Sequence, residues 1–213
     1  MFRLVFPPKC VLCRTFLAKE ETDLCHQCRE QADVFTRAKR KIPFVAHWTA
    51  LWYYKNDVRK SIHRFKFYGF QHYAAAYGRL LAIKLDREDM TDSDIVSWVP
   101  ISGLRRLRRG YDQSKLLAKA VGKELGVTPL PVLRKIRHTK PQSSLSGESF
   151  RRANISGAYK VVDIERIAGK RILLLDDVVT TGATASECAR MLVTYGAKQV
   201  YVAAIAAAEN HKK

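Results

Sequence analysis

Leu173-Leu174-Leu175-Asp176-Asp177-Val178-Val179-Thr180-Thr181-Gly182-Ala183-Thr184 runs from an apolar stretch, through two adjacent carboxylates, into a turn of hydroxyl groups and glycine. Residues 171–175 predict a strand, and 183–194 an amphipathic helix with Ala185, Cys188, Ala189 and Leu192 on its apolar face. The first N–H groups of a helix have no intrahelical partner, and the helix dipole adds positive potential there. Such a turn suits a phosphate. Gly182 lets backbone approach closely, and Thr180, Thr181 and Thr184 carry hydroxyl donors. Asp176 and Asp177 repel a phosphate but suit the hydroxyls of a ribose, directly or through Mg²⁺. An ordinary acidic crossover does not explain Asp-Asp followed by Thr-Thr-Gly. No G-x-G-x-x-G follows the strand, which argues against a dinucleotide turn.

Outward from this stretch the pattern alternates. Residues 200–205 predict a further strand, as do 47–54, 94–101, 132–136 and 158–162. Helices are expected over 55–67, ended at Gly69, and over 73–85 with Ala76, Leu80 and Ile83 inward. A third, capped by Asp112 or Ser114, runs to Glu124 and stops at Gly126. Arg105-Arg106-Leu107-Arg108-Arg109-Gly110-Tyr111 reads as an arginine-dense loop, and 138–155 as a long loop without periodicity. Alternating strands and helices imply an α/β fold with a mostly parallel sheet and helices on both faces. Ligands of such sheets sit beyond the carboxyl ends of the strands, where Asp176 and the loops 102–110 and 138–155 are expected to meet.

Cys10, Cys13, Cys25 and Cys28 form two C-x2-C pairs eleven residues apart. This spacing brings four thiolates to one structural Zn²⁺ and leaves no open position for a catalytic water. His26 reads as a bystander, and Cys188 as core. The expected organisation is a zinc module with a basic linker over 1–42 and an α/β domain over 43–213. No apolar stretch approaches the length of a membrane span, and residues 1–8 are too short and interrupted for a signal peptide. The expected location is the cytoplasm, where cysteines stay reduced.

The net charge is +18, from 38 basic and 20 acidic residues among 213. That excess is more than solubility requires and attracts polyanions, nucleic acid first. Arg106, Arg108, Arg134, Lys135, Arg137 and Lys140 are the candidate phosphate contacts, and Tyr68 and Phe70 the candidate stacking rings.

The stretch around Asp176 resembles the 5-phosphoribosyl-1-pyrophosphate (PRPP) motif of type I phosphoribosyltransferases. Four features in order resemble the ComF family: the cysteine module; Val99-Pro100-Ile101 leading to Arg105…Arg109-Gly110-Tyr111-Asp112-Gln113; the Arg137-x-Thr139-x-x-Gln142…Arg151…Asn154 loop; and the PRPP motif. Tyr111-Asp112 stands where that family usually carries Phe-Asn. The resemblance covers nearly the whole chain. It implies a type I phosphoribosyltransferase-like fold and a role in natural competence, with single-stranded DNA handled on the cytoplasmic side. Implied partners are PRPP, single-stranded DNA, and a competence helicase and membrane DNA channel not identifiable from the sequence. The 180–184 turn (Thr180, Thr181, Gly182, Ala183, Thr184) takes the 5′-phosphate, and Asp176 and Asp177 take the ribose and the cationic sugar formed during transfer. Arg105 or Arg109, with Mg²⁺, meets the pyrophosphate. The alternative is a salvage enzyme joining a base to PRPP.

Overall fold

The structure is a computed structural model, and it describes residues 7–36, 41–137, 139 and 153–209. In chain order the elements are α1 (His26–Gln31), β1 (His47–Tyr53), α2 (Asn56–Phe67), α3 (Tyr73–Arg87), β2 (Ile95–Trp98), α4 (Gly103–Arg109), α5 (Gln113–Leu125), β3 (Leu133–Lys135), β4 (Tyr159–Val161), α6 (Ile164–Ile167), β5 (Arg171–Val179), α7 (Ala183–Thr194) and β6 (Gln199–Ala207). Strands β1, β6, β5 and β2 form a parallel sheet in that order. Strands β3 and β4 make a separate antiparallel pair. Central β5 and β6 are apolar along most of their length because both faces are covered.

The two faces make two cores. Leu173, Leu175, Tyr201 and Ala203 face α2, α3 and α5, while Ile172, Leu174, Val200 and Val202 face α7 and the β3–β4 pair. This is the period-2 alternation of a strand buried on both sides. Cys188, Ala185, Ala189 and Leu192 lie in the second core as expected.

Helix α3 follows the expected stripe at Ala76, which is buried, and at Leu80, which packs partly buried on the first core, but departs from it at Ile83. Ala74, Tyr77, Leu81 and Leu85 face inward, and Ile83 is exposed. The reason is a close crossing with α5 at Gly78, where an added Cβ would meet Ala120 Cβ at 2.5 Å and the Ala120 carbonyl carbon at 2.8 Å. Gly78→Ala is therefore expected to force the helices apart and cost about 1–3 kcal/mol, read as a lower Tm in thermal unfolding.

Two further expectations need correction. Residues 103–109 form helix α4 rather than a loop, ended by Gly110 at φ 80°. Arginine and leucine are good helix formers, and charge density alone does not oppose a helix on the surface. Strand β5 continues past Leu175 to Val179, so Asp176 and Asp177 lie within the strand, with Asp176 in register with Ala204 of β6. Sheet pairing to β6 outweighs aspartate's low strand propensity.

The cysteine module packs directly on the sheet's helices. Cys10, Val11, Leu12, Leu24, Cys25 and Cys28 share the first core with Ile62, Phe65 and Tyr77. The chain then crosses the outer edge of β1, where Phe35 N donates to Leu51 O at 3.0 Å and Tyr53 N to Asp33 O at 2.8 Å. That contact covers a sheet edge that would otherwise be open. Within the basic linker expected before residue 43, residues 37–40 lie outside the described residues. Among the described residues no helix is long and apolar enough to cross a membrane.

Candidate functional site

The four N-terminal sulfurs lie within 4.8 Å of one another, and none of the four is in a disulfide. Cys13 and Cys25 Sγ are 3.6 Å apart. An all-sulfur donor set in this compact arrangement fits tetrahedral Zn²⁺. Burial pushes the Cys25 and Cys28 thiols up. Burial also opposes ionisation of Cys13, yet hydrogen bonds with Thr15 bring it down to about 7. His26 is exposed and lies 3.4 Å from Glu30, outside the sulfur cluster.

The second candidate site is at the carboxyl end of β5. Asp176 Oδ1 accepts from Ser114 Oγ at 3.2 Å and from the backbone N–H of Asp177 at 2.8 Å. Burial, then the neighbouring Asp177, raises the Asp176 carboxyl to about 7, although Lys66 pulls the other way. Asp177 Oδ1 lies 2.7 Å from Lys66 Nζ at the end of α2. The two side chains are 12% and 16% exposed, so this ion pair is largely withdrawn from water. Directly after β5 the chain turns through Gly182, at φ 79°, into α7. Ala183 N donates to Thr181 Oγ1 at 3.4 Å, and Ser186 N to Gly182 O at 2.8 Å. A Cβ at Gly182 would lie 3.0 Å from Ile42 Cδ1 and Cγ1, a tighter contact than side chains normally make. Glycine is thus needed here for its left-handed backbone and for packing against Ile42. The expected reason, close approach to a phosphate, is not required to account for it.

Helix α4 brings Arg105, with Arg109 beside it, towards the acidic pair. Arg105 is half-buried and donates to Thr139 O at 2.9 Å, and it acts electrostatically on Arg109, Tyr159 and Asp177. Arg109 donates to Gln113 Oε1 at 2.8 Å and lies over the Phe67 ring at 4.7 Å. Lys135 donates to Thr139 Oγ1 at 2.9 Å and lies over Tyr159 at 5.1 Å. Burial first, and Arg105 second, bring the Lys135 ammonium down to about 8. Asp112 caps α5 by accepting from Lys115 N at 3.1 Å and also accepts from Ile101 N at 3.2 Å, tying the end of β2 to the start of α5. These groups surround one end of the sheet with carboxylates, ammonium groups and guanidinium groups together.

The structure thus brings together Asp176, Asp177, Arg105, Arg109 and Lys135, at the end of the strand that leads into the 180–184 turn. Lys135 faces this cluster rather than open solvent. Arg106, Arg108 and Arg134 are exposed and stand apart. Arg137 is committed to the backbone carbonyls of Asn154 and Ser156, at 3.3 and 2.6 Å. Tyr68 is 64% exposed. Phe70, expected beside it as an exposed ring, is instead half-buried against the first core under Arg14, whose guanidinium carbon lies 5.2 Å from the ring centroid. The cysteine module supplies the surface that covers it. Lys140 lies outside the described residues. Sequence reasoning missed Lys66, Ser114 and Gln113 as members of this cluster. Lys66 had a signal: it follows the apolar face of α2 directly, one residue after the buried Phe65.

A parallel sheet with paired acids at the end of a central strand, followed by a glycine elbow into a helix, defines a type I phosphoribosyltransferase-like fold, here preceded by a zinc ribbon. The phosphoribosyl transferase domain family matches residues 111–213, and the double zinc ribbon domain family residues 1–39. Competence protein F of Haemophilus influenzae is 26% identical over 94% of this chain and 97% of its own. DNA utilization protein YhgH is 29% identical in Salmonella typhi and 28% in Escherichia coli K12, over 93% of this chain and 96% of theirs. The chain is a homologue of competence protein F and DNA utilization protein YhgH over most of its length. Among solved structures, glutamine PRPP amidotransferase from B. subtilis aligns with 66% of this chain and 30% of its own, at 20% identity and a TM-score of 0.45. An allosteric regulatory enzyme of purine biosynthesis aligns with 61% of this chain and 25% of its own, at 23% identity and a TM-score of 0.41.

Proposed function

We propose that this protein binds PRPP at the acidic pair and assists the handling of single-stranded DNA during DNA uptake, on the cytoplasmic side of the membrane. The observation that carries the PRPP reading is the convergence of Asp176, Asp177, Arg105 and Lys135 at the end of β5. The 180–184 turn takes the 5′-phosphate on helix N–H groups and threonine hydroxyls. The carboxylates accept from the ribose hydroxyls, and Arg105 and Arg109 receive the pyrophosphate with its Mg²⁺. Zinc holds residues 1–42 as a module on the 43–213 domain. The relatives' names and the chain's charge support the DNA reading: the homologues are a competence protein and a DNA utilization protein, and the chain carries +18. Exposed Arg106, Arg108, Arg134 and Tyr68 then offer phosphate contacts and a stacking ring. A competence helicase and the membrane DNA channel are the partners this role requires.

Calorimetry with PRPP and Mg²⁺, repeated with single-stranded DNA present, tests both halves. Filter binding of an oligonucleotide should weaken with salt by about 0.7 log unit per log unit for each phosphate neutralised. Absence of binding at low salt would remove the DNA reading.

The complete acidic pair also favours a second reading, a salvage phosphoribosyltransferase. The carboxylates would stabilise the cationic sugar, and the arginines the departing pyrophosphate. Pyrophosphate release with some base, lost in Asp177→Asn, would support it. No release across a broad base panel, with PRPP still bound, would eliminate it.

A further inference from the structure

Among the described residues, Lys66–Asp177 is the ion pair between distant segments with both side chains withdrawn from water; Arg79–Asp23 buries its carboxylate as deeply, at 11% exposed, but leaves its guanidinium 46% exposed. Lys55–Asp33, Lys55–Glu209 and Arg171–Asp92 are more open to solvent on both sides, whereas Lys66 and Asp177 are nearly enclosed. An enclosed pair is not retained for stability alone, because desolvation offsets most of its attraction. Its position matters more. Asp177 Oδ1 is held by the ammonium, and Asp176 Oδ1 by Ser114 and a backbone N–H. Among the described residues no hydrogen bond involves either Oδ2. One acceptor oxygen per carboxylate is left, which matches two adjacent ribose hydroxyls. A divalent cation at the same carboxylates would need several oxygens at about 2.0–2.1 Å in octahedral array, and would sit against the ammonium.

Lys66 is also held firmly in place. Val58, Ile62 and Phe65 bury one face of α2. Ser61 Oγ and Arg64 Nη2 donate to the carbonyls of Val11 and Leu12, between the first two cysteines. Tyr77 and Ser61 hydroxyls are 2.6 Å apart, and Tyr111 donates to Phe65 O one residue before Lys66.

We propose that Lys66 is a ligand-site residue, the built-in counter-charge of Asp177 that lets the acidic pair receive a ribose phosphate with no divalent cation at the carboxylates. This rests on the sugar-phosphate reading above and deepens it. The Mg²⁺ of PRPP then resides on the pyrophosphate, and the sugar half of the site is metal-independent.

The test is calorimetry on the full zinc-loaded chain with ribose 5-phosphate, which lacks the pyrophosphate, with and without added Mg²⁺. Wild-type affinity is expected to change less than about two-fold with Mg²⁺. Lys66→Met should bind about ten-fold more weakly without Mg²⁺, the effect of one lost charge-assisted contact, and recover when Mg²⁺ is added. Lys66→Arg should restore metal independence. Wild-type affinity for ribose 5-phosphate that requires Mg²⁺, or a Lys66→Met protein indistinguishable from wild type, overturns the role of Lys66 while leaving the site reading intact. Failure of the wild type to bind either ribose 5-phosphate or PRPP takes down both. A Mn²⁺ titration of sugar-free wild type, followed by electron paramagnetic resonance, needs no folded Lys66 variant. It should show no tight site, and a tight site abolished by Asp177→Asn would overturn the proposal.

Discussion

Stripping zinc, or replacing Cys28 by serine, is expected to lower Tm by roughly 10 °C and to make residues 7–36 protease-sensitive. Among the described residues the module contains one six-residue helix and one antiparallel bridge within itself, Lys9–Phe16, too little for a core of its own. Zinc binding in small modules contributes about 10–16 kcal/mol, so metal and fold go together. The effect reaches the larger domain because Val11 and Leu12, both nearly inaccessible, belong to the same core as Ile62 and Phe65. Exposing two such side chains costs about 3–6 kcal/mol, and a chain of this size loses about 2–4 °C per kcal/mol. Ser61 and Arg64 lose their carbonyl partners in the same event, so binding at the acidic pair should weaken alongside. Calorimetric scans of zinc-loaded and chelated protein, with released zinc measured against protein, check this. Unchanged melting after full release would show that the four cysteines do not hold the module together.

The parts legible in the sequence were those fixed by local pattern. Helix α7 is read over 183–194, its observed span, because Gly182 starts it and its apolar positions recur at three and four. Strand β1 and helices α2 and α5 follow the same logic, and Asp112 is the cap of α5 that its position suggests. The four cysteines are legible because metal ligands are read by spacing. Helix α4 is the exception, a local misreading in which arginine density outweighed good helix formers; the other failures depended on partners distant in the chain. The continuation of β5 through Asp176 and Asp177 needs β6 beside it. The departure of α3 from its stripe at Ile83 is set by Ala120 against Gly78, a contact no single-helix pattern contains. Phe70 looks like a free ring until the cysteine module is seen to lie over it. Lys66 reads as one more surface cation, since nothing local shows that the last turn of α2 ends beside a carboxylate more than a hundred residues later.

Opposite pH trends in stability and ligand affinity are expected from Asp176. Its carboxyl is raised to about 7 from an ordinary 3.8, by burial and by Asp177. Between those values the folded chain holds a proton that the unfolded chain has lost, so this group's contribution to stability falls as pH climbs from about 4 to about 7 and levels off above. At roughly 1.4 kcal/mol per pH unit, discounted for partial exposure, the loss by pH 8 is on the order of 2–3 kcal/mol. Asp176→Asn removes the carboxylate's desolvation cost and should raise Tm by about 4–12 °C at pH 8, with little change near pH 4.5. Sugar binding needs the ionised form, which accepts from a hydroxyl on either oxygen, so PRPP affinity should rise as pH passes through 7. The surroundings carry both signs: Lys66 and Ser114 favour the ionised form, and Asp177 opposes it. Lys135, Tyr159 and Cys188 also feel its charge. Asp176→Asn should therefore give a more stable protein that no longer binds PRPP. Thermal unfolding and PRPP calorimetry of both proteins across pH 4.5–8 decide the matter. A variant less stable than wild type at pH 8 would mean that Asp176 is a structural carboxylate, with no cost carried for the sake of a ligand.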